Sequence, residues 1–405
     1  MLPRRTLLKA SAAALAAPAA LAGAAGRSAA GTATASTLDI DVQNNTGSGT
    51  VYAYVTGLAL DNGNRWCLLQ ADGHTPYYPS SPSGTGAPLG ADCSIVLNGS
   101  GGAPRRITIP RLAGGRLWFS IGRPLTFLLN PGPALVEPSV TNPSDPNIDI
   151  QWGFCEFTFN SAELYANITA VDFVSIPVGL KLTNGSGATQ TVQGLPNGAL
   201  DTICAGLVAQ HNADGQGWNQ LIVTSGGQNL RALSPVKAMV GSGGLFSGYY
   251  DGYVDQVWSK YASTPLKVDT QAEWGVLTGT VSGGVLNFPG AGSFGKPSAA
   301  DIFSCNSGPF AVSAPVMGAL TARLSAALNR STLLDNADQP NGAPSTYYKV
   351  SPTNHYSRLV HATALDGRGY GFPYDDVQPS GGSDQSGAVR DSNPNVLTVT
   401  LGSVH

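Results

Sequence analysis

The two residues best suited to acid–base chemistry are Glu156 and Asp172, which lie in a stretch rich in polar and aromatic side chains. Hydrolysis of a glycosidic bond uses two carboxyl groups, one that protonates the leaving oxygen and one that assists water or attacks directly. Two neighbouring carboxylates also push one pKa of the pair upward, as a general acid requires. The alternative is a pair of solvated surface carboxylates, which spacing alone does not exclude.

The sequence around these carboxylates predicts a β-hairpin. Side chains alternate along its first strand: Cys155, Phe157 and Phe159 form an apolar face, and Glu156, Thr158 and Asn160 form a polar face. Such alternation is typical of a strand that packs one face on a core. The polar face has a spacing suited to binding a sugar.

The second strand is predicted over about 167–176, after a turn over 161–166, and contains Asp172. A turn centred near Glu163 or Leu164 would place Glu156 almost opposite Asp172. Directly opposed residues have Cβ atoms about 5 Å apart, which favours the closer, retaining geometry. A β-bulge would widen the gap, so spacing leaves the stereochemistry of hydrolysis open.

Other acidic residues precede the hairpin. Glu137, Asp145 and Asp149 are candidate cleft acids that would tune the general acid. The competing interpretation is turn chemistry, because residues 142–146 read Asn-Pro-Ser-Asp-Pro, a strong turn sequence. The later Asp375–Asp376 pair is predicted to be structural.

Neither a metal nor a cofactor is expected. None of the five histidines lies in an HExxH arrangement, and the chain has neither a GxSxG motif nor a P-loop. Trp118 and Trp152 could stack on sugar rings, but core packing is the favoured interpretation.

Composition narrows the class of ligand. Charged residues make up 12% of the 405, about half the usual share, and Gly (51) and Pro (28) are abundant. This pattern is typical of a secreted, β-rich protein with an uncharged polar surface. The net charge of −3 argues against nucleic acid, whose phosphates need a basic face, and favours a neutral ligand such as a glycan.

Residues 1–36 are predicted to be an export leader with its linker. Adjacent Arg4 and Arg5 precede an Ala/Leu-rich stretch, which is the twin-arginine pattern of bacterial export. The apolar stretch is too short and weak for a membrane span, and we expect no membrane association after the leader is removed. Export would place the mature chain outside the cell as a secreted protein.

The five cysteines are Cys67, Cys93, Cys155, Cys204 and Cys305. An exported chain can form disulfides. Cys67 with Cys93 and Cys204 with Cys305 are the pairs considered, with Cys155 as a buried thiol, although sequence does not determine connectivity.

Hydrophobic periodicity divides the mature chain into three regions. Short strands are predicted in the first region (37–183), at 38–42, 51–55, 106–109, 117–121 and 125–129. Helical spacing marks the second region (184–340), at 200–208 with Asn197 as a possible cap, at 254–261 and at 316–328 after Pro315. Strand alternation returns in the third region (341–405), at Leu397, Val399 and Leu401. The predicted fold is mainly β with α+β: a β-sandwich or barrel, an inserted mixed α/β domain, and a cleft between them.

Several motifs resemble those of thaumatin-like proteins. The matches are Glu156-Phe157 with Asn160, Asp172-Phe173 with Pro177, the first hairpin over 42–54, and the stretch Tyr370–Asp376. The resemblance implies a thaumatin-like β domain, although that family is shorter and richer in disulfides.

The longer segments 127–147 and 155–168 more closely resemble glycoside hydrolase family 64, bacterial β-1,3-glucanases with an added α/β domain. The resemblance implies an inverting hydrolase that cuts β-1,3-glucan of the laminarin or curdlan type into short oligosaccharides such as laminaripentaose. It assigns Glu156 as general acid and Asp172 as general base. It also implies sugar contacts at Thr158, Asn160, Tyr165 and Thr169, where Tyr165 stands at a position that relatives can fill with Trp.

The alternatives to this hydrolase are a non-catalytic thaumatin-like protein that binds β-glucan and acts against fungi, and a hydrolase of another exported polysaccharide. Acidic clefts in the thaumatin-like fold can bind glucan without turnover. We expect the chain to act as a monomer.

Overall fold

The computed structural model describes residues 34–405, which contain 24 strands and six α-helices. The predicted leader therefore lies outside the described residues, apart from its last three positions. The strands are β1 (Thr37–Asn44), β2 (Val51–Ala59), β3 (Arg65–Leu69), β4 (Pro76–Tyr77), β5 (Ala87–Pro88), β6 (Ile95–Val96), β7 (Arg105–Pro110), β8 (Leu112–Ile121), β9 (Leu128–Asn130), β10 (Ala134–Val136), β11 (Gln151–Phe159), β12 (Leu164–Ile168), β13 (Phe173–Val174), β14 (Val178–Asn184), β15 (Thr189–Val192), β16 (Ile222–Ser225), β17 (Gln228–Leu233), β18 (Leu266–Asp269), β19 (Val276–Ser282), β20 (Val285–Phe288), β21 (Gly292–Phe294), β22 (Asp338–Gln339), β23 (Ala388–Asp391) and β24 (Pro394–Leu401).

The helices are α1 (Ala199–Asp214), α2 (Pro235–Gly241), α3 (Asp251–Tyr261), α4 (Ala299–Ser304), α5 (Pro315–Asn329) and α6 (His355–Thr363). The fold is thus mostly β with some helices, as predicted. In the described chain no helix is both long and apolar enough to cross a membrane.

A five-stranded sheet joins the two ends of the described chain. Its order is β15-β14-β24-β1-β7, and β24 runs parallel to β1. Leu38, Ile40 and Val42 alternate inward on β1, so its buried face packs on the core as the alternation predicts. The predicted return of strand structure near the C-terminus is confirmed by β24.

An eight-stranded sheet carries the predicted hairpin near its middle. Its main order is β23-β12-β11-β8-β2-β3-β4, with β6 paired to β2. The ladder between β11 and β8 is irregular between Phe157 and Phe159. A Cβ on Gly115 of β8 would lie 2.5 Å from the ring of Phe157, so only glycine lets the two strands approach this closely.

The three predicted helices are confirmed as α1, α3 and α5, and α5 begins at Pro315 in the position that tolerates a missing N–H. Asn197 does not cap α1. Gly198 occupies the N-cap position, and the Asn197 side chain instead accepts a hydrogen bond from the backbone of Ser403. Helices α2, α4 and α6 were not predicted; they are short, at 7, 6 and 9 residues.

Trp118 and Trp152 belong to the core, which confirms the favoured interpretation. Both side chains are almost completely buried. The ring centroid of Trp118 lies 4.8 Å from that of Phe154, and the ring centroid of Trp152 lies 4.8 Å from that of Phe173. The cluster ties β8 and β11 to β13, the strand that follows Asp172.

All five cysteines are buried free thiols, so the two considered disulfides are absent from the structure. The expectation of a buried thiol at Cys155 is confirmed. Burial raises the pKa of Cys155 to about 12, which keeps its sulfur protonated and unreactive.

Candidate active site

Glu156 lies in the middle of β11 and faces Asn167 across the hairpin, not Asp172. The expected register is wrong because the hairpin turns earlier than predicted. Oδ1 of Asn160 accepts hydrogen bonds from the backbone N–H groups of Ala162 (2.7 Å) and Glu163 (3.0 Å), which closes a tight turn directly after β11.

Asp172 lies in a bend rather than in the second strand of the hairpin. That strand, β12, ends at Ile168, and β13 begins at Phe173. Strand β13 leaves the hairpin and pairs with β17, with Phe173 opposite Leu233. The two candidate carboxylates therefore lie on different structural elements, Glu156 on β11 and Asp172 just before β13. The Cβ separation of about 5 Å expected for directly opposed residues of a hairpin does not apply to them.

Arg116 links Glu156 to a second glutamate. Its Nε donates to Oε1 of Glu156 at 3.3 Å, and its Nη1 donates to Oε2 of Glu137 at 2.7 Å. The guanidinium also lies 4.8 Å from the ring centroid of Phe154. This aromatic contact and the two ion pairs hold the guanidinium between the carboxylates.

Glu137 is held from its other side by a polar chain. Thr56 donates to Oε1 of Glu137 at 3.0 Å, and the indole N–H of Trp118 donates to Thr56 at 3.0 Å. Glu137 is thus joined to Glu156 through the guanidinium of Arg116, and its role as an acid that tunes the site stays a prediction.

The surroundings of Glu156 favour its protonated form. Burial raises the pKa of Glu156, Arg116 partly offsets that rise, and the negative charges of Asp172 and Glu137 add to it. The side chain still exposes 37% of its surface, so a ligand can reach the carboxyl group. A partly exposed carboxyl group with a raised pKa is suited to general acid catalysis.

Asp172 has its own cationic partner in Lys237, which comes from helix α2. Nζ of Lys237 lies 3.1 Å from Oδ1 of Asp172. The two catalytic candidates therefore differ in environment: one carboxyl favours its proton, and the other is directly paired with an ammonium group.

The predicted sugar contacts divide into two groups. Thr158 lies two residues from Glu156 on the same strand face, and Tyr165 is its cross-strand partner, so both line the face that carries Glu156. Burial raises the pKa of Tyr165, and the negative charges of Asp376 and Asp384 add to this rise. Tyr165 therefore remains a neutral phenol.

Asn160 and Thr169 lie in different settings. The side-chain oxygen of Asn160 is occupied by the turn, which leaves its amide N–H₂ as the group available to a ligand. Thr169 lines a cavity of about 40 Å³ together with Phe154, Ala170 and Tyr370. That cavity has room for water but not for a sugar ring.

Asp145 is a structural residue, and its prediction as a cleft acid is wrong. Its side chain is buried. Oδ2 accepts from the backbone of Ser139, and Oδ1 accepts from both the backbone and the side chain of Asn147. These bonds are the turn chemistry that was the competing interpretation.

Of the Asp375–Asp376 pair, Asp375 is structural, as predicted. It is buried, and its carboxylate contacts Arg330 at 2.9 Å and His361 at 2.8 Å. Asp376 is exposed and accepts a hydrogen bond from the hydroxyl of Tyr370 at 3.1 Å.

Three residues of the site were missed at the level of sequence: Arg116, Lys237 and Asn167. A charged residue among the mostly apolar residues of β8 was a signal that could have identified Arg116. The sequence around Lys237 contains no comparable signal. Asn167 is only 8% exposed, and its Oδ1 has no hydrogen-bond partner within residues 34–405. It offers a free acceptor directly beside Glu156.

No cluster of three or more His, Cys, Asp or Glu side chains that could hold a metal occurs within residues 34–405.

Residues 36–401 match the sequence model of glycoside hydrolase family 64, described as beta-1,3-glucanase. The chain is 31% identical over 379 residues to a glucan endo-1,3-beta-glucosidase of Cellulosimicrobium cellulans, and 30% identical to one of Arthrobacter sp. (strain YCWD3). Each alignment covers 90% of this chain and 65% of the relative, so the chain spans about two thirds of their length.

Solved structures are also similar. A laminaripentaose-producing beta-1,3-glucanase in complex with laminaritetraose superposes with a TM-score of 0.81 and 35% identity, over 92% of this chain and all of the other. A beta-1,3-glucanase domain from Clostridium beijerinckii shares the fold, with a TM-score of 0.69 and 23% identity over 91% of this chain and 98% of the other. The family match over most of the sequence shows that this chain belongs to glycoside hydrolase family 64.

Proposed function

We propose that this chain hydrolyses β-1,3-glucan with inversion, using Glu156 as general acid and Asp172 as general base. The observation that carries the proposal is the contrast between the two carboxyl groups. Glu156 is placed where its pKa is raised, and Asp172 is paired with Lys237. The names of the relatives at 31% and 35% identity, an endo-1,3-beta-glucosidase and a laminaripentaose-producing beta-1,3-glucanase, support the same substrate.

The proposed reaction is a single displacement at the anomeric carbon. Protonated Glu156 gives its proton to the glycosidic oxygen as the bond from that oxygen to C1 breaks. Asp172 takes a proton from a water molecule as the water oxygen forms its bond to C1 from the opposite face. The new reducing end has the α configuration, Glu156 is left ionised and Asp172 is left protonated. Proton exchange with solvent restores both groups.

The polar face beside Glu156 is the proposed sugar-binding surface. Thr158 and Tyr165 contribute a hydroxyl group and an aromatic ring on that face, and such rings stack on the apolar faces of sugars. Asn160 is proposed to contact the glucan further along through its amide N–H₂ group. The predicted contact at Thr169 is not proposed, because the cavity that it lines is too small for a sugar ring. Products are proposed to be short oligosaccharides such as laminaripentaose.

The architecture is proposed to be thaumatin-like, with residues 37–183 as a β domain and 341–405 returning to it. Residues 184–340 would form the mixed α/β domain, and the substrate cleft would lie between the two. We further propose that residues 1–36 direct twin-arginine export, and that the mature chain is secreted and acts as a monomer.

Activity on a panel of polysaccharides tests the proposed substrate. Release of reducing sugar should occur with insoluble β-1,3-glucan and not with β-1,4- or β-1,6-glucans. Glu156→Gln and Asp172→Asn should each abolish release, whereas Glu163→Gln, a matched change on the same hairpin, should not. Binding of glucan with no release by the wild-type protein would contradict hydrolysis and favour a glucan-binding protein.

A further inference from the structure

Asp172 lies in a bend, so the strand ladder alone does not hold it. Its backbone carbonyl accepts a hydrogen bond from the N–H of Ser234 at 2.9 Å. The next residue, Phe173, pairs with Leu233. The main chain of Asp172 is therefore anchored to the end of β17, in the mixed α/β region.

The same segment of chain supplies the partner for the Asp172 side chain. Helix α2 starts directly after Ser234, and the N–H of Lys237 bonds to the Ser234 carbonyl at 3.0 Å, which places Lys237 in the first helical turn. Its Nζ lies 3.1 Å from Oδ1 of Asp172, with the two side chains 30% and 29% exposed. One short segment thus fixes both the backbone and the carboxylate of Asp172.

Charged or titratable groups on three other elements also interact with Asp172: Arg116 on β8, Glu156 on β11 and Tyr356 on α6. Arg116 is bonded to Glu137 and Glu156. The Tyr356 hydroxyl donates to the carbonyl of Ala170 at 2.6 Å. Within residues 34–405, Lys237 is therefore the cation in direct contact with Asp172, and its charge opposes the negative charge of Glu156.

We propose that Lys237 is a positioning residue for the general base. It holds Oδ1 of Asp172 through the ion pair, which leaves Oδ2 free to take the proton from the attacking water. The inference rests on the proposed function, in which Asp172 is the base. It also gives the mixed α/β region a direct part in the chemistry, because helix α2 and strand β17 together hold the base in place.

The test compares Lys237→Met and Lys237→Arg with Lys296→Met, measuring kcat, KM and their pH dependence on soluble β-1,3-glucan. Lys296 is a suitable control because it forms an exposed ion pair with Asp255 in the same region. Lys237→Met should lower kcat by about 10- to 100-fold, a typical loss for impaired general-base catalysis, with KM within about twofold. The acidic limb of the pH profile should move to higher pH, because a carboxylate without its cation is harder to ionise.

Lys237→Arg keeps the charge, so the acidic limb of its pH profile should lie close to the wild-type position. Lys296→Met should match the wild-type enzyme. Thermal unfolding of each variant identifies loss of fold, and if Lys237→Met does not fold, Lys237→Gln replaces it, because Gln keeps a hydrogen-bond donor without the charge.

An unchanged acidic limb in the folded, uncharged variant would overturn the inference. A raised KM at constant kcat would also overturn it, because it would make Lys237 a substrate contact. Asp172→Asn separates this outcome from failure of the proposed function: if Asp172→Asn remains active, Asp172 is not the base, whereas an inactive Asp172→Asn with a normal Lys237→Met refutes only the role of Lys237.

Discussion

The Nη1 atom of Arg116 lies 2.7 Å from Oε2 of Glu137. The contact from Arg116 to Glu156 is longer, at 3.3 Å, so the guanidinium is shared unequally between the two glutamates. Because Glu137 takes the shorter contact, Arg116 offsets only part of the rise in the pKa of Glu156. Glu137 therefore helps to keep the proposed general acid protonated.

Replacing Glu137 by Gln should move the alkaline limb of the kcat/KM profile to lower pH. The change removes a negative charge near Glu156 and frees Arg116 to pair with it, and both effects favour the ionised carboxylate. The measurement is hydrolysis of soluble β-1,3-glucan across the pH range in which the protein stays folded. Glu163→Gln is the control, and a limb that stays in place or moves to higher pH would refute this role of Glu137.

Replacing Arg116 by Met should move the same alkaline limb in the opposite direction and also weaken the fold. Two partly buried carboxylates lose their shared cation, which should lower the free energy of unfolding by about 1–2 kcal/mol, less than for a fully buried pair. Urea denaturation measures this loss. Arg106→Met, which removes an exposed ion pair to Asp41, should have little effect. Equal losses in the two variants would contradict the account.

Asn160 offers a way to separate turn formation from sugar binding. Asp at this position retains the oxygen that accepts from Ala162 and Glu163 but lacks the amide N–H₂. Asn160→Asp should therefore keep the stability of the hairpin, whereas Asn160→Ala should lose about 1 kcal/mol. Thermal unfolding and KM are measured together. If the N–H₂ group contacts the glucan, KM rises in both variants, and an unchanged KM would remove Asn160 from the binding surface.

Stability should depend on pH through His361. Its Nε2 lies 2.8 Å from Asp375 and its Nδ1 lies 2.9 Å from the carbonyl of Gly367, so both ring nitrogens face acceptors. Burial alone would lower the pKa of His361, but the charge of Asp375 and these hydrogen bonds outweigh it and raise the pKa. The stabilisation is complete below the unfolded-state pKa of about 6.5 and is lost as pH rises through the higher folded-state pKa.

Urea unfolding of His361→Gln over a series of pH values tests this linkage. The gap in unfolding free energy between wild type and variant should be largest at acidic pH and should shrink as pH rises. His74→Gln, at an exposed histidine, should show no such trend. A gap that is constant with pH would contradict a charged His361 in the folded state.

Local patterns in the sequence were sufficient to predict much of this fold. Alternation predicted the polar face of β11, and helical spacing predicted α1, α3 and α5. The register of the hairpin was predicted incorrectly, because the side chain of Asn160 forms the turn and alternation says nothing about where a turn closes.

Local sequence patterns could not predict which residues hold Asp172 in place. Asp172 is placed by pairing between β13 and β17, and Lys237 follows on the next helix, so neither relationship leaves a periodic trace near the hairpin. The roles proposed for Glu156 and Asp172 were predicted from a family resemblance, since spacing alone could not distinguish catalytic from solvated carboxylates.

The most direct test of the central claim is the anomeric configuration of the first products. Hydrolysis of β-1,3-glucan would be followed by NMR from the earliest time points, with wild type beside Glu156→Gln and Asp172→Asn. The α-anomer should appear first with the wild type, and neither variant should release product. Early β-anomer, or full activity in either variant, would contradict inversion by this pair of carboxyl groups.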